Sequence, residues 1–251
     1  MEKALGKYLY CVIDCGEEKQ FEAIGMGEPG GIVYTIVYQD IAMVTSDVPD
    51  EIYDPIRKNA FCHEKVVAEA LRTHTVVPMQ FGMVAPGRED VIRILAENYA
   101  ELRRCLTKLA NKVELGLTVS WNKENFSEEI CRSSPEIERL RQELARTDPD
   151  LAYPLQIRLG QLVESVVEQK RTLWKELIFR ELAPGAIEVK VNDPIGERMV
   201  FNGSFLVDKA REGAFDQLVN RFYLTYRQGF DYKYSGPWPP YNFVDVKLKM
   251  E

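Results

Sequence analysis

The sequence predicts an α+β protein of two domains, with antiparallel-rich sheets and helices packed on one face of each. Three observations carry this. Short β-prone runs alternate with longer stretches of helical apolar periodicity. From Val113 the order is strand, helix, strand, strand, helix, strand, which is the split βαβ pattern of a ferredoxin-like sandwich, βαββαβ. The chain has 251 residues, more than one domain of roughly 100–200 residues usually holds. The boundary is expected near Lys112. It gives an N-terminal α+β domain over 1–112, a modified ferredoxin-like variant, and a C-terminal ferredoxin-like domain over 113–251 that carries a Pro/aromatic terminal segment.

In chain order, residues 8–13 form a β-branched and aromatic run that reads as a strand. A glycine-rich turn follows at 25–31. The run 32–38 and the run 41–46, joined by Gln39-Asp40, read as a hairpin. A helix over 54–74 has Ile56, Ala60, His63, Val67 and Ala70 as its apolar stripe. The strand 75–81 contains Pro78, which removes a ladder donor and points to an edge or a bulge. One helix over 88–111 places Val91, Leu95, Leu102, Leu106 and Leu109 on a single face. In 113–121, Val113, Leu115, Leu117 and Val119 alternate, as a strand with one buried face requires. A short helix over 135–146 is separated by Pro149 and Pro154 from a longer one over 155–182. The inner stripe of that helix is Leu155, Leu159, Leu162, Val166, Leu173 and Leu177, and Pro184-Gly185 stops it. Strands at 186–191 and 199–207, a helix at 209–226, a strand at 230–234 and a last one at 243–248 complete the reading.

The composition is that of a folded chain, with 45% hydrophobic and 28% charged residues, enough apolar material to bury a core. A net charge of −7 argues against nucleic acid, which calls for a basic stripe. Apolar runs fall far short of the ~20 residues that span a bilayer, and the N-terminus lacks a signal-peptide apolar region. Five scattered cysteines without Cys-x-x-Cys spacing fit reduced thiols in the cytoplasm.

Three patterns could carry chemistry, and each fails on context. Gly25, Gly27 and Gly30 match G-x-G-x-x-G, but Pro29 interrupts the loop and a β-prone run follows. A dinucleotide site needs a helix N-terminus there. His63 and His74 lie about three helical turns apart, too far to share a metal. His63 alone could ligate a cofactor such as haem on a ferredoxin-like sheet. Against this stands a buried histidine bonded to a neighbour, since no second ligand accompanies it. Cys62 beside His63 points about 100° away on a helix. No catalytic, metal or cofactor residue is therefore assigned, and the expected role is binding other proteins rather than catalysis.

The stretch 236–244 is the most unusual. Three prolines stiffen it towards polyproline II, and Trp238, Tyr241 and Phe243 offer large contact area. A segment folded against its own domain is favoured over a ligand for a partner.

The same segments carry a resemblance. YLYCVID (8–14), VYTIVYQDIAMVTSDVP (33–49), TVVPMQFGMV (75–84), KVELGLTVSW (112–121), ERMVFNGSFLVDK (197–209) and YSGPWPPYNFV (234–244) resemble the gas vesicle protein F/L family in the family's order. The resemblance implies a minor gas vesicle protein of buoyant prokaryotes such as cyanobacteria, located in the cytoplasm and on the gas vesicle. Its implied partners are the small apolar shell subunit and other gas vesicle proteins, with no nucleic acid and no membrane. It implies a role in limiting subunit aggregation during assembly, or in the vesicle wall itself, and no catalytic residue. An open sheet edge could cap such a subunit by strand addition. The candidate edges are the run bearing Ile32, Tyr34, Ile36 and Tyr38, and the strand with Pro78. Trp238, Tyr241 and Phe243 are the further candidates for partner contact.

Overall fold

The structure, a computed structural model, describes residues 5–27, 31–49, 51–246 and 248–249. The chain forms two compact units. One holds the residues up to Glu114 together with the terminal segment from Pro237, and the other is Leu115–Gly236. The boundary lies close to the expected Lys112. The terminal segment, however, expected in the second domain, belongs to the first.

In the first unit the strands are β1 (Leu5–Ile13), β2 (Gln20–Ile24), β3 (Ile32–Tyr38), β4 (Ile41–Pro49), β5 (Val76–Pro78) and β6 (Val84–Ala85). They form a sheet in the order β2-β3-β4-β1-β5, with β6 also on β1. β3 and β4 are the expected hairpin, paired Tyr38 to Ile41 around Gln39, which takes a positive φ of 56°. The helices are α1 (Arg57–Thr73), α2 (Arg88–Glu97) and α3 (Tyr99–Leu109). Strand alternation sends Ala42, Val44 and Val48 into one core with Val66, Val67 and Ala70 of α1. Ile41 and Met43 are equally buried but face the other way, and α2 packs on β3 and β4. Helices therefore cover both faces of this sheet, which corrects the one-face expectation. The run 8–13 is apolar throughout because β1 is buried on both sides.

The single helix expected over 88–111 is two. Asn98 sits between them at φ −107° and ψ 8°. Its side chain donates to the Ile94 carbonyl at 2.8 Å, competing with the backbone ladder. The apolar face survives the break: Val91, Leu95, Leu102, Leu106 and Leu109 are all buried. The stripe expected for α1 holds only from His63 onward, since Ile56 precedes the helix and Ala60 is exposed.

In the second unit, β7 (Lys112–Trp121) opens in the first unit and is followed by α4 (Phe126–Ser133), α5 (Pro135–Leu144) and α6 (Tyr153–Leu182). Then come β8 (Glu188–Val191), β9 (Met199–Asp208), α7 (Glu212–Tyr226) and β10 (Phe230–Trp238). The sheet order is β10-β7-β9-β8. Leu115, Leu117 and Val119 of β7 pack with Ile178 and Leu182 of α6, Phe205 of β9, and Phe215 and Phe222 of α7. Leu173, expected on the inner stripe of α6, is exposed. The last expected strand is instead a short 3-10 turn at Tyr241–Phe243 with irregular chain beyond. Position 247 of that strand lies outside the described residues. No described helix is long and apolar enough to cross a membrane.

Two polar arrangements inside the first unit fix its shape. The first ties the terminal segment down. Glu114 is buried, and its carboxylate accepts from the Asn242 backbone N–H at 2.9 Å and from Asn242 Nδ2 at 2.5 Å. Asn98 Oδ1 accepts from the Lys249 N–H at 3.1 Å, and Phe243 is fully buried. The second joins β1 to α1. Tyr8 OH accepts from the Gly82 N–H at 2.9 Å and is hydrogen-bonded to His63 Nδ1 at 3.1 Å. Tyr8, Tyr10 and Phe81 ring His63 with centroids 5.7, 5.7 and 5.8 Å away. Burial pushes the His63 imidazole down to about 4.

Both arrangements give testable outcomes. Asn242→Ala removes the Nδ2 donor and leaves the buried carboxylate only the backbone N–H, and should lower the stability of the first unit by about 1–3 kcal/mol. The readout is a lower urea midpoint with faster proteolysis at Lys249, and an unchanged midpoint would refute the clamp. For His63 the folded value lies below the ordinary 6.5. The unfolded chain therefore takes up the proton first. Its contribution is complete above pH 6.5 and is lost as pH falls towards 4, on the order of 3 kcal/mol at 1.36 kcal/mol per unit. Between pH 7 and pH 4.5, wild type should lose more stability than His63→Gln, and equal losses would show that His63 is not held neutral.

Candidate functional site

The most exposed apolar surface of the first unit gathers at one end of its sheet, where β1 and β3 begin and β2 and β4 finish. The register places Leu5 opposite Pro49 and Ile24 opposite Ile32. The chain leaving β4 carries Ile52 and Ile56 towards α1, whose second turn adds Phe61. All of Leu5, Ile24, Ile32, Ile52, Ile56 and Phe61 are exposed, Ile52 by 95%. A groove of about 930 Å³ runs among them, lined by Ile24, Met26, Ile52, Tyr53, Ile56 and Phe61. Its charged rim is balanced, with Glu51 and Asp54 against Lys58 and Lys65.

The walls of this groove are rigidly held. Tyr10 OH accepts from the Met26 N–H at 2.6 Å and lies 2.8 Å from Ser46 Oγ, which pins the turn after β2 to the sheet. Gly25 is required there: a Cβ would come within 2.7 Å of the Ser46 side chain. Cys62 Sγ donates to the Ile24 carbonyl at 3.3 Å, fastening α1 to β2. Burial raises the Cys62 thiol above its ordinary value against the pull of Lys65 and Lys58, so it serves as a neutral donor rather than a thiolate nucleophile.

The residues singled out from the sequence divide. Ile32 belongs to the apolar end just described. Tyr34 is half-buried and donates to Asp47 Oδ1 at 2.8 Å, where Lys7 also pairs with Asp47. Partial burial of Asp47 works against its charge, but the Lys7 and Tyr34 hydrogen bonds outweigh it and hold the carboxyl below its ordinary value. Ile36 is fully buried, and Tyr38 packs edge-on to Tyr99 at 5.9 Å. β3 is not an edge, because β2 pairs with it on one side and β4 on the other. The sequence of β2, QFEAI, is too polar to announce a strand, and that hid the true edge. At the opposite end of the sheet, β5 with Pro78 is terminal. A groove of about 400 Å³ beside it is lined by Met79, Met83, Tyr241, Val244 and Leu248. The terminal segment is thus a folded part of the first unit. It leaves Trp238 and Tyr241 partly exposed, buries Phe243, and does not bring these aromatics to the apolar end.

The patterns that suggested chemistry have structural roles. Gly25 and Gly27 lie in the connection from β2 to β3, and the next described element is that strand, not a helix; Pro29 and Gly30 lie outside the described residues. His63 is enclosed by aromatic rings with Nδ1 engaged. His74 contacts Thr73 Oγ1 and Lys19 Nζ, at 2.8 and 3.3 Å. Among the described residues, no three His, Cys, Asp or Glu side chains gather as a metal site would require. Ile52 and Ile56 escaped the sequence reading. The available signal was two isoleucines in the otherwise polar connection Glu51-Ile52-Tyr53-Asp54-Pro55-Ile56, where no core position called for them.

Comparison with known proteins agrees with this architecture. The chain is 28% identical to gas vesicle protein F of Nostoc sp., covering 86% of this chain and 88% of that one. It is 27% identical to gas vesicle protein F1 of Halobacterium salinarum, over 97% and 95% of the two chains. The crystal structure of the gas vesicle protein GvpF from Anabaena sp. superposes with a TM-score of 0.80 at 26% identity, covering 97% of this chain and 99% of that one. These relatives are named as gas vesicle proteins, not as enzymes. The family model described as gas vesicle synthesis protein GvpL/GvpF matches residues 6–245, and the chain belongs to that family.

Proposed function

We propose that this protein binds the apolar shell subunit of the gas vesicle and limits its aggregation during assembly, as a non-enzymatic factor. The observation that carries this reading is the apolar end of the first unit, from Leu5 and Ile24 to Phe61. A patch of this kind on a folded chain marks an interaction surface. The rim is balanced in charge, so recognition rests on apolar contact, which suits an apolar subunit. Ile24, Ile32, Ile52, Ile56 and Phe61 are the side chains assigned to that contact. Tyr241, at the other groove, and the partly exposed Trp238 are secondary contacts. Ile36 and Phe243 are fully buried and are not assigned to the contact, and Tyr34 and Tyr38 lie further along β3, against Asp47 and Tyr99. Binding through side chains replaces strand addition at the two candidate edges, because β3 is internal and β5 is only three residues long with a proline at its end.

We read the second unit as ferredoxin-like, on the strength of its strand order β10-β7-β9-β8 and its strand–helix–strand–strand–helix–strand sequence. The protein acts in the cytoplasm and at the growing vesicle, in contact with the shell subunit and other gas vesicle proteins.

Co-expression with the shell subunit tests the reading. Ile52→Asp with Phe61→Asp alters two exposed positions and should leave the fold intact by circular dichroism. The amount of soluble shell subunit that co-purifies is expected to fall at least tenfold. Full retention of soluble subunit by this variant would sink the proposal, and Trp238→Ala should have the smaller effect.

A further inference from the structure

The second unit carries a surface of different chemistry. Over the first half of α6, helical periodicity places Tyr153, Ile157, Gly160, Glu164 and Arg171 along one stripe. Leu151, Tyr153 and Ile157 are exposed. At Gly160 an added Cβ would meet nothing within 4 Å. The stripe leads into a groove of about 640 Å³ whose floor is Phe126, Val163 and Val167 and whose rim is Glu164, Glu168, Glu197 and Arg171. Arg171 is already engaged. It pairs with Glu168 and donates to the carbonyls of Met199 and Gly196, at 3.0 and 2.9 Å. Glu164 and Glu197 have no ion-pair partner among the described residues. From Gly160 to Arg171 the groove follows α6 for roughly 16 Å at 1.5 Å per residue, and the exposed Tyr153 and Ile157 continue its line towards the start of the helix.

We propose that this channel binds a basic amphipathic α-helix of a partner protein. An apolar helix stripe would lie on Val163, Val167 and Ile157, passing closest at Gly160, where no side chain intervenes. Lysines or arginines flanking that stripe would meet Glu164 and Glu197. The complementarity is one of sign and shape together: an acidic rim beside an apolar floor, long enough for about three turns of helix. This surface is independent of the apolar end of the first unit.

The test uses a labelled Leu/Lys helix of about 18 residues, with leucines at i, i+3, i+4 spacing, and its Leu/Glu counterpart. Binding to the full chain is read by fluorescence anisotropy. The basic peptide should bind at least tenfold more tightly than the acidic one. E164K/E197K should weaken it at least tenfold, whereas E143K/E176K, the same change in net charge on other exposed faces, should shift it less than twofold. Gly160→Leu fills the channel without altering charge, and should weaken binding while leaving the circular dichroism intact. Equal losses from both charge-reversed pairs would reduce the effect to net charge and overturn the proposal. Equal binding of the two peptides would overturn it too. So would a dimer in sedimentation that Ile157→Asp breaks and the basic peptide fails to displace, since a second copy would then be the occupant.

Discussion

The first unit depends on one buried carboxylate. A charged Glu114 inside a protein costs several kcal/mol unless its oxygens find donors, and both donors come from Asn242, 128 residues further on. The requirement explains why the last stretch of chain returns to the first unit. Once there, it brings Phe243 into the core and its backbone to Asn98. The same asparagine interrupts what would otherwise be one continuous helix, so the break between α2 and α3 and the course of the terminus are a single feature. The aromatic and proline-rich composition that makes the segment look like a ligand is what a short, irregular tail needs in order to pack without a sheet or helix of its own.

A second constraint explains how an apolar surface can be displayed without collapsing. Tyr8 and Tyr10 stand on β1, fully buried, with rings 4.8 Å apart. Each hydroxyl is spent on holding a different element: Tyr10 anchors the turn at Met26, and Tyr8 links Gly82 to His63 of α1. Buried hydroxyls that are fully engaged stiffen their surroundings. With the turn and the helix fixed to one strand, Ile24, Ile52 and Phe61 cannot fold inward to cover one another. The exposed end is therefore a property of the core beneath it.

Much of this was legible in the sequence, and the misses have physical causes. The alternation from Val113 and the order of elements beyond it gave the second sheet, because a strand with one wet face must alternate. The hairpin at Gln39 was equally plain. Positions decided by distant partners were not. β2 forms because β3 needs a neighbour, not because QFEAI favours a strand. Asn98 breaks a helix through its own side chain and a backbone group 151 residues away. The terminal segment was assigned to the wrong unit because nothing local reveals that Glu114 is buried. For the candidate site, reading Ile32–Tyr38 as an edge points to the sheet that carries the exposed apolar end and to one of its residues, Ile32. Ile52 and Ile56 were overlooked because periodicity finds the core, and a binding surface is made of apolar residues that the core does not use.

The magnitudes bear on what such a surface can do. Covering the exposed parts of Ile24, Ile32, Ile52, Ile56 and Phe61 is worth on the order of 5–10 kcal/mol, at roughly 1.5–3 kcal/mol for each fully buried side chain scaled by its exposed fraction. Association itself costs an estimated 4–15 kcal/mol. The apolar end alone therefore holds a partner loosely, without the paired charges that would lock it in one register. Loose, charge-neutral contact is unsuited to a permanent joint in a wall. It does suit a factor that must cover an apolar subunit and then surrender it, because the growing shell offers that subunit a larger apolar interface than this groove can.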